Sequence, residues 1–158
     1  MTHLTCMPCT SAHLPAIVAL EQRIASYPWQ DSLFQDELRP QWQQQSLHYV
    51  WLAPDGCVVG FIFCRALIAD EWWLLNIGMD PRLRQQGWGE RLLRQVMQQS
   101  AQRGGESMLL EVAASNRPAQ RLYEKCGFVV IGIRKNYYHH TGRQDDALVM
   151  QCTLPQTL

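Results

Sequence analysis

No run of this sequence approaches the roughly 18 apolar residues that a membrane-spanning helix needs; the best candidate, Val58 to Cys64, is cut off by Arg65. The first residues, Met1-Thr2-His3-Leu4-Thr5-Cys6, carry neither a basic segment nor the long apolar stretch of a secretory signal. The expected compartment is therefore the cytoplasm, with no membrane partner. Charge of one sign is also missing: 14 Lys and Arg balance 14 Asp and Glu, and 18% of residues are charged. That balance excludes a broad basic field, and direct nucleic-acid binding is not expected. There is no internal repeat and no low-complexity linker, since Gln41-Trp42-Gln43-Gln44-Gln45 is biased but short and reads as a surface loop.

Metal-binding patterns are sparse as well. Of the 6 cysteines only Cys6 and Cys9 form a C-x-x-C pair, with no second pair and no C-x-x-C-H. Reduced, partly buried thiols are the favoured reading over a zinc or redox site. His139-His140 has no third ligand at useful spacing, so an exposed loop is expected and no metal.

What is present is globular: 47% of the 158 residues are hydrophobic, and the whole chain, 1–158, fits one domain. His3 to Cys9 reads as an edge strand. Thr10 or Ser11 is placed to cap a helix with Leu14, Ile17, Val18, Leu20 and Ile24 on one side, broken at Tyr27-Pro28-Trp29. Asp31 is placed to cap a second, short helix through Leu38, stopped by Pro40. Leu47 to Leu52 and Cys57 to Leu67 form strands about the turn Ala53-Pro54-Asp55-Gly56, followed by Trp72 to Met79. Gly87 opens a long helix with Leu92, Leu93, Val96, Met97 and Ala101 on one face, ended by Arg103-Gly104-Gly105. Met108 to Ala113 is a strand, Asn116 to Cys126 a helix, and Phe128 to Ile133 and Ala147 to Thr153 a final pair of strands. This order predicts an α/β (α+β) fold with a mixed, largely antiparallel sheet of about seven strands flanked by about four helices.

Chemistry concentrates in three places. Arg84-Gln85-Gln86-Gly87-Trp88-Gly89 joins a strand to a helix. Its glycines permit a tight turn and close backbone approach, and the helix start supplies unpaired N–H groups and a positive dipole end. The alternative is an ordinary glycine loop. The segment lacks both the Gly-Lys-Ser/Thr end of a nucleotide P-loop and the G-x-G-x-x-G spacing of dinucleotide binders, so a different phosphate-bearing ligand fits better. In the second place, Asn116 suits a helix N-cap and Pro118 the first turn. Tyr123 follows seven residues later, about two turns and roughly 10 Å along the same face, so one extended ligand could touch both. Tyr123 is otherwise a core aromatic beside Leu122. Glu111 ends the apolar run Met108-Leu109-Leu110 and is either a general base or a paired structural carboxylate. The third place comprises Tyr27-Pro28-Trp29 and Arg134-Lys135-Asn136-Tyr137-Tyr138, whose rings are either groove walls or core aromatics.

Taken in order, Arg84 to Gly89 and Glu111-Val112-Ala113-Ala114-Ser115-Asn116, then Leu122-Tyr123-Glu124-Lys125-Cys126-Gly127-Phe128, resemble the two signature blocks of the GNAT acetyltransferase superfamily. Glu21-Gln22-Arg23, Tyr27-Pro28-Trp29, Asn136-Tyr137-Tyr138 and Gly142-Arg143-Gln144-Asp145-Asp146-Ala147 are similar to the bacterial ribosomal-protein alanine N-acetyltransferase (RimI-type) branch. Two departures stand out: Gln30 where a capping Ser is common, and His139-His140 in a turn that often holds Pro. The resemblance implies acetyl-CoA as co-substrate. Its pyrophosphate would lie on Arg84, Gln85, Gln86, Gly87, Trp88, Gly89 and Glu90, and its pantetheine along Ile77, Gly78, Met79 and Asn116. It further implies Glu111 as general base, acting through water, and Tyr123 as acid to the leaving thiolate. Tyr27, Pro28, Trp29, Tyr137 and Tyr138 would receive the acceptor, and a backbone N–H near Met79 would meet the oxyanion. The expected acceptor is the N-terminal alanine of a small-subunit ribosomal protein, by direct transfer in a ternary complex. A small-molecule amine or a lysine side chain is the alternative acceptor, and a non-catalytic acetyl-CoA-binding domain the rival from another class.

Overall fold

A computed structural model describes residues 3–68 and 70–155. Its seven strands lie in one sheet in the order β1-β2-β3-β4-β5-β7-β6. They are β1 (Thr5–Pro8), β2 (Ser46–Leu52), β3 (Val58–Ile68), β4 (Glu71–Met79), β5 (Ser107–Ala113), β6 (Val129–His140) and β7 (Arg143–Thr153). Every pairing is antiparallel except β4 with β5. That parallel pair is joined through α3 (Trp88–Gln102), as parallel neighbours require a crossover. The remaining α-helices among the described residues are α1 (Leu14–Ile24), α2 (Asp31–Glu37) and α4 (Arg117–Lys125).

The alternation of strand side chains divides the core between the two faces. Val50, Phe61 and Phe63 pack with Leu14, Ile17, Leu20 and Phe34 of α1 and α2. Ile62, Leu74, Met108, Leu110, Val112 and Met150 pack with Leu92, Leu93, Val96 and Met97 of α3 and Tyr123 of α4. The apolar stripe of α3 is thus the one its sequence spacing predicts, except that Ser100 rather than Ala101 is fully buried; its hydroxyl donates to Met97 O.

Three expectations shift. Thr10 caps a short 3₁₀ turn, Ser11–His13, rather than the helix itself. Asp31 is the first residue of α2, and Gln30, in extended conformation, stands at its N-cap. The largest difference is the final hairpin. Strands read as ending at Ile133 and starting at Ala147 instead run to His140 and from Arg143. The signal was obscured by a bulge: Arg134 faces Ala147 while Tyr138 faces Asp145, so β6 carries two extra residues there, with Asn136 at φ 51°. Asp146 secures that bulge by accepting the Asn136 N–H at 2.8 Å.

Candidate active site

Asp80 turns the chain out of β4. Its Oδ1 accepts the Arg82 N–H at 2.9 Å, and its carboxylate takes the Arg82 guanidinium at 3.1 and 2.8 Å. After a 3₁₀ turn, Pro81–Leu83, the loop Arg84-Gln85-Gln86 lies exposed, with Gln85 at φ 61° and Gly87 at φ 86°. The first bond of α3 runs from Arg91 N to Gly87 O at 3.0 Å. The N–H groups of Trp88, Gly89 and Glu90 therefore have no partner within the helix and sit at its positive end. A Cβ at Gly87 would meet nothing within 4 Å, and one at Gly89 only Leu122 Cδ2 at 3.9 Å. Internal packing does not require glycine at 89.

The side chains beside this cradle have structural partners. Trp88 meets Trp51 edge-to-face at 5.2 Å, and Arg91 lies over its ring at 4.7 Å. The Glu90 carboxylate is engaged by Arg94 at 2.8 Å and by Lys125 of α4 at 3.0 Å.

Beyond the loop the sheet splits. Pairing between β4 and β5 ends at Leu74 with Leu110, yet β4 continues to Met79 against β3 and β5 to Ala113 against β7. Asp80 N–H donates to Val59 O at 2.8 Å, so by alternation Gly78 also faces β3, while the polar groups of Ile77 and Met79 face the gap. Glu111 is the first residue of β5 past the split. Its side chain is 17% exposed, and Arg134 Nε lies 3.4 Å from its Oε1. Asn116 caps α4 by accepting Ala119 N–H at 3.2 Å, which leaves its amide N–H groups free of that duty. Two turns on, Tyr123 is buried with its ring edge-to-face against Phe128 at 6.0 Å. Burial pushes its phenol pKa up, with a smaller contribution from Cys126.

Tyr138 of β6 is half-buried. Its pKa is raised by burial first and then by the neighbouring Glu111, Tyr137, Tyr123 and Asp145. Both candidate catalytic residues thus lie within electrostatic reach of one phenol, although they come from different elements.

Residues 14–128 match the acetyltransferase (GNAT) family. The chain belongs to the GNAT family. It is 35% identical over 137 residues to a ribosomal protein bS18-alanine N-acetyltransferase of Escherichia coli, covering 87% of this chain and 88% of that protein. It is 33% identical over 141 residues to the Salmonella typhimurium protein of the same name, covering 89% and 91%. The crystal structure of the E. coli ribosomal-protein-S18-alanine N-acetyltransferase superposes with a TM-score of 0.86 at 31% identity, covering 99% of this chain and 97% of that one. The protein is accordingly an acetyltransferase with the GNAT sheet.

Within the segment between α1 and α2, Tyr27, Pro28 and Trp29 separate. Tyr27 stacks on Tyr138, and Tyr138 meets Tyr137 edge-to-face at 5.2 Å. Pro28 is half-buried. Trp29 is drawn into the core, tilted against Phe34 at 5.0 Å and edge-on to Phe63 at 6.2 Å. Tyr137 remains 46% exposed, and its pKa is raised by burial first and then by the Glu111 carboxylate.

Residues given no role by sequence reading tie the surrounding segments together. Asp145 accepts the Ser115 N–H at 3.1 Å and bonds the Ser115 hydroxyl, fastening the hairpin to the loop before α4. Arg143 donates to Ser26 O at 3.2 Å and lies 5.7 Å from the centre of the Tyr27 ring. Adjacent acids in Asp145-Asp146 were the available signal. Among the described residues, no group of three or more His, Cys, Asp or Glu is placed to hold a metal ion. His139 and His140 lie exposed at the end of β6, and the 6 cysteines are free thiols.

Proposed function

We propose that this acetyltransferase moves the acetyl group of acetyl-CoA onto the N-terminal α-amine of an alanine-initiated protein, the eighteenth protein of the small ribosomal subunit. The observation that carries this is the split between β4 and β5, with Glu111 just past it and the ring cluster of Tyr27, Tyr138 and Tyr137 neighbouring that carboxylate. It combines an unpaired strand edge for an amide-bearing arm with an aromatic cluster suited to a chain end. The names borne by relatives at 33–35% identity point to the same acceptor.

In this reading the N–H groups of Trp88, Gly89 and Glu90 receive the pyrophosphate, with Arg84, Gln85 and Gln86 along the rim. Ile77 and Met79 pair with the pantetheine amides across the gap, with Gly78 between them, and the Asn116 amide donates to the arm. Glu111, through water, takes a proton from the acceptor ammonium, and the neutral amine then adds to the thioester carbonyl. Met79 N–H donates to the oxygen that becomes negative. As the C–S bond breaks, Tyr123 donates its proton to the departing sulfur; its raised pKa keeps that proton in place throughout the neutral range. The adduct nitrogen sheds its second proton as the amide forms, and that proton returns through solvent to the Tyr123 phenolate; Glu111 releases its own proton to solvent. An α-amine, with a reference pKa near 8 against about 10.4 for lysine, is the easier group for this base. No step calls on a metal, and the reaction is expected in the cytoplasm without nucleic acid or membrane.

The test is a panel of acceptors with acetyl-CoA and free-thiol detection. A peptide beginning with alanine should react much faster than the same peptide with a blocked N-terminus and an internal lysine. Equal rates, or preference for a free polyamine, would reassign the acceptor.

A further inference from the structure

The reaction leaves one buried carboxylate unused. Glu21, on the last full turn of α1, is 3% exposed. Its Oε2 accepts two hydrogen bonds, from Trp29 N–H at 3.1 Å and from the Asn76 side-chain amide at 2.8 Å. Burial raises its pKa against the lowering effect of those two donors. A carboxylate kept in the core at that cost has a task there.

The two donors belong to the two halves of the site. Trp29 closes the segment Ala25 to Gln30, which carries Tyr27 beneath Tyr138. Asn76 lies on the stretch of β4 past Leu74 that β5 leaves unpaired, next to Ile77. The same helix turn touches that edge a second time. A Cβ at Gly78 would lie 2.9 Å from Ile24 Cδ1 and 2.7 Å from Phe61 Cζ, so α1 is seated directly on the strand. Glu21 and Ile24, one turn apart on α1, thus engage Asn76 and Gly78, two residues apart on β4.

We propose that Glu21 is a positioning residue that fixes the acceptor loop relative to the β4 edge, and so sets the distance between the attacking amine and the thioester. This rests on the acceptor and donor sides assigned above. The hydrogen-bond geometry explains why a single oxygen is used: both tethers converge on Oε2, so loop and strand move together or not at all. A side chain that held only the loop would let the aromatic entrance keep its shape while drifting from the reacting carbon, a loss that effective-molarity arguments make expensive for transfer.

The test compares wild type with Glu21→Gln, Glu21→Ala and Asn76→Ala, using an amine panel headed by an alanine peptide. Each variant is scored on whichever amine the wild type uses best. The expected result is a rise of roughly tenfold or more in acceptor KM or a similar fall in kcat for Glu21→Ala. Acetyl-CoA KM should stay within about twofold, Glu21→Gln should recover part of the loss, and Asn76→Ala should mimic part of it. Hydrogen exchange at the Trp29 amide should accelerate in Glu21→Ala. Parallel rises in both KM values, or unchanged acceptor kinetics with faster Trp29 exchange, would reduce Glu21 to a folding contact and overturn the proposal. A wild type that prefers a polyamine would overturn the acceptor assignment alone, since the Glu21 comparison is then read on that amine.

Discussion

The ring of Tyr27, in the segment after α1, stacks on that of Tyr138 in β6, with centroids 5.1 Å apart and planes 26° from parallel. Arg143 stands against the same pair, donating to Ser26 O at 3.2 Å and lying 5.7 Å from the centre of the Tyr27 ring, and in the proposed reading the pair forms one wall of the acceptor site. Aromatic pairs contribute about 0.5–1.5 kcal/mol beyond their buried area. Tyr138→Ala should therefore raise acceptor KM several-fold while leaving acetyl-CoA affinity unchanged. Adding Tyr27→Ala should cost little more, because the partner ring is already gone. Steady-state kinetics of the two single variants and the double variant check this.

Glu111→Gln keeps the shape of the carboxylate and the contact region of Arg134 but removes the basic oxygen. The rate constant of transfer should fall by about 10²–10⁴-fold, with acetyl-CoA binding retained. The deficit should narrow at high pH, where more acceptor amine is already neutral. Single-turnover rates across pH are the measurement, and near-normal activity at neutral pH would leave Glu111 with a structural role only.

The cradle glycines should separate by mechanism. Gly89→Ala adds a Cβ that meets only Leu122 Cδ2 at 3.9 Å, so it should fold normally and weaken the thermal shift produced by acetyl-CoA. Gly87→Ala places a Cβ at φ 86°, at a cost of roughly 1–2 kcal/mol, and should lower the melting temperature by itself. Thermal melts with and without acetyl-CoA distinguish the two outcomes.

Tyr123→Phe removes one oxygen and keeps the ring against Phe128. Transfer should drop while melting stays close to wild type. A large loss of stability would instead mark the hydroxyl as a structural partner, and full activity would exclude it as the acid.

Asp80 supplies a pH test of the turn before the cradle. Hydrogen bonds from Arg82, with Arg23 at 3.7 Å adding its charge, hold its pKa down at about 2, below the ordinary value of 3.8. A depressed pKa means that the folded state binds this proton less tightly than the unfolded chain. The stabilisation is present above about pH 4 and is lost as pH falls toward 2. Asp80→Asn should therefore lower the melting temperature at pH 7 and make little difference at pH 2. An equal effect at both values would remove the charge from the explanation.

Local order explains which parts were legible from sequence. The α3 stripe from Leu92 to Met97, the turn at Asp55-Gly56 and the Asn116 cap depend on neighbours a few residues away, and each stands close to its expected place. The long hairpin was not legible, because Asn136 and the charged segment Arg143 to Asp146 break the alternation that marks a strand. Its pairing is held by contacts such as Asp145 with Ser115, 30 residues apart. Trp29 shows the same limit: an aromatic beside Pro28 suits a groove or a core equally well until Phe34 and Phe63 are in place around it.

By itself, then, the order of residues determined the elements, the glycine turn into α3 and the membership of the acetyltransferase family, since these are properties of periodicity and short motifs. The tertiary structure decided that β4 and β5 part after Leu74 and Leu110, that Glu111 lies beside Arg134, and that Tyr27 meets Tyr138. Each of these joins residues distant in the chain, and only burial of both faces of the sheet brings them within contact.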